Sequence, residues 1–92
     1  MTLDDLRAIA RRLPLNAPDM KGDVNALGAA LTSHTGRLPA ALDALQQSRA
    51  DTAMQEQVAQ HCGGAILVLL CVIEHFDLSL EEAIRLGNRE LQ

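Results

Sequence analysis

Aromatic side chains are almost absent from this sequence: Phe76 is the single ring of that kind, and Trp and Tyr do not occur. A sheet leans on β-branched and aromatic residues, whereas this chain is 48% apolar with Ala and Leu dominant, so it is expected to be built of helices packed by aliphatic side chains and to contain no strands. A nucleobase would find only Phe76 to stack on. Basic clusters are equally scarce. The formal charge is −4, and the one group, Arg7, Arg11 and Arg12, reads as a solvated helix face pairing with Asp4. Nucleic acid, which needs clustered Lys and Arg against its phosphates, is not an expected partner. Long apolar runs are missing too. Residues 65–73 form nine positions without a charge, about half of a bilayer crossing, and are expected to be a core helix and not a membrane span. The N-terminus carries no secretory pattern. Cys62 and Cys71, nine apart on one helix, point in opposite directions and cannot bridge, so two buried reduced thiols and a cytoplasmic setting are expected.

With 92 residues and no internal repeat, one domain spanning 1–92 is expected. Thr2 followed by Asp5 is an N-cap signature, and Leu3, Leu6, Ile9, Ala10 and Leu13 then share one helix face until Pro14. Residues 15–22 read as a loop. A second helix starts near Asp23, carries Val24, Leu27, Ala30 and Leu31, and is expected to stop around Thr35 and Gly36. Pro39 suits the first turn of a third helix running to about Arg49. Asp51 caps a long helix from Thr52 to about His75, polar in its first half and apolar on every side in its second. Ser79 and Glu82 open a last helix. The sum is four or five helices. A helix apolar all round needs more cover than so few neighbours supply, so a homodimer is expected.

The stretch 60–84, QHCGGAILVLLCVIEHFDLSLEEAI, resembles the metal-site helix and following helix of MazG-like proteins, the all-α nucleoside triphosphate pyrophosphohydrolases. Members of that family typically read EE, two residues, D, an apolar run, a short hydrophobic loop and LEEAL. The resemblance implies a four- to five-helix MazG-like bundle, completed by dimerisation. It also implies a magnesium site of paired carboxylates, which bridges phosphates and activates a water. Carried over residue by residue, the pattern puts Gln60 and His61 where the two Glu would stand and Gly64 where the Asp would stand. The family's earlier pair of acids falls within residues 24–31, on Asn25 and Gly28 or on Ala26 and Ala29. None is a carboxylate. A hard cation that prefers anionic oxygen would meet amides, an imidazole, methyl groups and glycine.

The resemblance therefore implies ancestry in nucleotide hydrolysis with the activity lost. The leading expectation is a non-catalytic module, binding a small ligand or a protein partner, with Asn25, Gly28, Gln60, His61 and Gly64 lining the former metal cleft and no metal or other cofactor. One alternative is a divergent magnesium-dependent pyrophosphohydrolase drawing on Asp19, Asp23 and Glu56. Another is a helical adaptor whose likeness to the family is accidental. His34, His61 and Cys62 raise a transition-metal reading, but no further Cys or His follows at ligand spacing, so core histidines are expected. Gly63 and Gly64 cost up to about 1 kcal/mol each inside a helix relative to Ala. Close helix crossing is the favoured compensation, with room for a ligand as the other. Phe76 is expected to plug the corner before the last helix.

Overall fold

The computed structural model describes residues 1–13 and 24–92; the expected loop at 15–22, and Pro14, Asp19 and Asp23 with it, lie outside the described residues. Among the described residues four helices follow in order: α1, Leu3–Arg12; α2, Val24–Gln47; α3, Thr52–His75; α4, Leu80–Leu91. No strand occurs among the described residues. The all-α expectation holds, at the lower of the two helix counts.

Local chemistry accounts for most helix ends. Thr2 accepts from the Asp5 N–H at 3.1 Å while its own N–H donates to Asp5 Oδ2 at 2.9 Å, a reciprocal pair that satisfies two orphan donors of α1. Leu13 closes α1 in extended backbone, as the residue before a proline must. Asp51 accepts from Ala53 and Met54 to start α3, and Ser79 accepts from Glu82 at 3.2 Å to start α4. The end of α3 is a six-residue closure in which Leu78 N–H donates to Ile73 O at 2.9 Å and Asp77 N–H to Glu74 O at 3.2 Å. That geometry requires a left-handed residue, and Asp77 supplies it at φ 54°.

The expected break at Thr35 and Gly36 does not occur. One helix of 24 residues runs through Gly36 and Pro39. A proline inside a helix removes one ladder bond and crowds the carbonyl four residues back, here that of Thr35. The flanking turns hold nonetheless: the Thr35 hydroxyl donates to Leu31 O at 2.8 Å, and Ala41 beyond the proline is buried. Tertiary packing of α2 on α3 outweighs the local signal, because this hairpin is the most extensive helix pair among the described residues. The turn at 48–51 is tied by Ser48 N–H to Leu45 O and by the Gln55 amide to Arg49 O.

The core takes one contribution from every helix: Ala10, Leu27, Leu70 with Cys71, and Leu80, with Leu6, Leu13, Leu67, Val72 and Ile73 packed around them. Ala10 lets α1 lie close on α3, where the Cys71 thiol donates to Ala10 O at 3.8 Å. Two ion pairs cross between elements at the rim, Arg7 to Glu81 at 2.5 Å and Arg11 to Glu74 at 3.2 Å. The second half of α3 is not covered on all sides, since Ile66 and Leu69 remain 51% and 46% exposed. Phe76 is 53% exposed and lies edge-on against His75, so it does not plug the corner. Cys62 is exposed, and only Cys71 is a buried thiol.

Candidate functional site

The polar half of α3 faces the middle of α2. Thirteen residues back from Gln47 is His34, and thirteen on from Thr52 is Ala65, so the hairpin sets His34 beside Gly64 and His61. A Cβ on Gly64 would stand 2.5 to 2.7 Å from Cε1, Nδ1 and Nε2 of His34. Any side chain at 64 would displace the His34 ring, because Cε1 and both nitrogens of that ring lie against the α3 backbone. Gly63, by contrast, has nothing within 4 Å of where a Cβ would be. The close approach anticipated at this glycine pair is thus made by a side chain, at one of the two positions.

His34 and His61 are half-buried, their ring centroids are 6.1 Å apart, and the planes are inclined at 55°. Nδ1 of each ring is out of contact with solvent and has no hydrogen-bond partner among the described residues. An unpaired buried nitrogen is costly, on the order of 1 to 3 kcal/mol. They are the buried side-chain nitrogen or oxygen atoms without a partner among the described residues, and they belong to neighbouring rings.

Of the residues expected to line the former metal cleft, His61 and Gly64 meet here. Gln60 is next along α3 and exposed. Asn25 and Gly28 do not join them: they stand nine and six residues before His34 on the same helix, about 13 and 9 Å along the axis. Both are exposed, and nothing lies within 4 Å of a Cβ on Gly28. Glu56 is exposed on the first half of α3, and Asp19 and Asp23 are outside the described residues. No group of three or more His, Cys, Asp or Glu converges among the described residues. His34 was visible in the sequence, but only a continuous α2 joined to α3 by a short turn places it opposite His61.

A second feature lies on the other side of α3. Leu3 and Leu6 of α1, Ile66, Leu69 and Ile73 of α3, and Ile84 of α4 line an open apolar groove of about 360 Å³. Ile84 is 61% exposed. Charges stand near it as pairs: Arg7 with Glu81, Arg11 with Glu74, and Arg85 with Glu82. A hydrogen bond from its own backbone N–H, then Arg7, holds the Glu81 carboxyl below its ordinary value, and Arg85 does the same for Glu82. Burial, with Glu74 adding to it, pushes the Cys71 thiol up. Among the described residues α3 is the one helix long and apolar enough, by length and composition, to cross a bilayer.

No family model, no curated protein and no solved structure matches this chain. The MazG-like reading therefore rests on the resemblance in residues 60–84.

Proposed function

We propose that this chain is a non-catalytic, MazG-like helical module that acts through association, its apolar groove taking a second copy of the chain. The observation that carries this reading is the groove itself. Ile66, Leu69 and Ile84 keep about half or more of their surface in water around one continuous hollow, although each such aliphatic side chain is worth roughly 1.5 to 3 kcal/mol when fully buried. A two-fold pairing of this face with itself covers the flank of α3 that α1, α2 and α4 leave open. Three charge pairs near the groove are matched within one chain, which lowers the electrostatic cost of bringing two copies together despite a net −4 on each.

Loss of hydrolysis follows from the residues at 60, 61 and 64, where a magnesium ion would find an amide, an imidazole and no side chain. Millimolar Mg²⁺ or Mn²⁺ is expected to produce no release of pyrophosphate from nucleoside triphosphates. Metal-dependent hydrolysis abolished by Asp23→Asn or Glu56→Gln would establish the pyrophosphohydrolase instead.

Association is tested by multi-angle light scattering. A mass about twice 9.9 kDa is expected, falling to 9.9 kDa in Leu69→Lys and Ile84→Lys with helicity retained. A monomer at every concentration tested overturns the reading. Flotation of the wild type with phosphatidylcholine vesicles, lost in the same variants, would assign the groove to a lipid surface.

A further inference from the structure

We propose that His34 and His61 form a two-imidazole clip for a borderline divalent transition ion such as Zn²⁺, tying α2 to α3 across Gly64. The gap between the rings carries the argument. With about 1.15 Å from centroid to ring atom, centroids 6.1 Å apart keep any nitrogen of one ring at least about 3.8 Å from any nitrogen of the other, too far for a hydrogen bond of about 3 Å. An ion held at about 2.0 to 2.1 Å by one nitrogen of each ring sets the centroids about 5.3 Å apart at a tetrahedral angle. It sets them about 6.5 Å apart when it lies in line between the rings. The observed spacing is inside that window. A single ion thus accommodates a ring pair that cannot satisfy itself directly.

Nitrogen chemistry points the same way. A neutral imidazole offers one N–H and one lone pair, and Nδ1 of both rings is shielded from water without a hydrogen-bond partner among the described residues. Neutral imidazole suits Zn²⁺, Ni²⁺ and Cu²⁺, whereas Mg²⁺ seeks anionic oxygen. The missing side chain at Gly64 leaves the room in which the His34 ring lies on α3. Two imidazoles supply two of the coordination positions such an ion takes. The net charge of −4 favours a cation at the surface. This inference is independent of self-association, which uses the opposite flank of α3.

The experiment is a thermal melt of the full chain with Zn²⁺, Ni²⁺ or Mg²⁺ added separately, for the wild type and for His34→Gln, His61→Gln, Cys62→Ser and His75→Gln. Near saturation, Zn²⁺ or Ni²⁺ is expected to raise the midpoint by about 10 to 20 °C, from the gain of an ion at a hundred times its Kd in a domain of this size. Mg²⁺ is expected to leave it unmoved. Either histidine variant at the clip loses the shift, and the Cys62 and His75 variants keep it. In the wild type, ring ¹⁵N resonances of His34 and His61 move together on adding Zn²⁺, a reading that does not depend on a variant folding. Unmoved ring resonances, or a shift that survives both His34→Gln and His61→Gln, overturn the proposal.

Discussion

Gly63 and Gly64 are adjacent in one helix, yet alanine is expected to have different consequences at the two positions. An interior helical glycine costs about 0.8 to 1 kcal/mol relative to alanine, and at Gly63 nothing stands within 4 Å of the new methyl, so Gly63→Ala should stabilise by about that amount. At Gly64 the same gain is opposed by three atoms of the His34 ring at 2.5 to 2.7 Å, about 1 Å inside ordinary contact. The ring ends a side chain that can swing. Displacing it breaks the His34–His61 approach, and overpacking of this kind costs typically about 1 to 3 kcal/mol. Gly64→Ala should therefore fall below Gly63→Ala by about 1 to 3 kcal/mol. Urea unfolding followed by far-UV circular dichroism at one fixed protomer concentration measures both, the concentration being held because association shifts the midpoint. A double-mutant cycle isolates the cause: in a His34→Ala background the ring is gone, and Gly64→Ala should recover the gain seen at Gly63. Equal stabilisation by the two single substitutions would refute the close approach of His34 to α3.

Asp77→Gly should stabilise by roughly 0.5 to 1 kcal/mol, since Asp77 holds the left-handed position of the α3 closure at φ 54°, and a lower urea midpoint would show that its side chain is needed there. Glu81 and Glu82 have carboxyl groups held below the ordinary value of 4.5, so their contribution is present above about that pH and lost as pH falls through the lower folded values. A midpoint that drops on acidification in wild type and less in Arg7→Gln checks this, with added salt weakening the effect. One thiol per chain should react quickly with an aromatic disulfide reagent under native conditions and two after unfolding, because Cys62 is exposed while burial keeps the Cys71 thiol protonated. Equal rates for the two thiols in the native protein would place Cys71 outside the core.

Much of the helical framework is legible in the sequence because its signals are local. Thr2 with Asp5, Asp51, and Ser79 with Glu82 announce helix starts through side-chain atoms two or three residues from the backbone groups they satisfy. The change along residues 52–75 from glutamines to an apolar run equally marks a long helix with an unusually apolar second half. Gly36 and Pro39 mislead for the same local reason: they report what an isolated segment prefers, and the burial of α2 against α3 overrides a cost of a few kcal/mol. The candidate site is different in kind. His61 and Gly64 share one helix face three residues apart, so their pairing is a matter of helical period, whereas His34 lies 27 positions before His61 and joins it only when the turn at 48–51 folds α2 back along α3. Asn25 and Gly28 lie elsewhere on α2 for that same reason, the register of the hairpin placing the middle of the helix, and not its start, opposite the polar half of α3. Composition and periodicity determined that this chain is helical and where most helices begin. Tertiary structure decided which side chains meet, because contact between distant positions depends on helix continuity, turn length and register, to which no local signal responds.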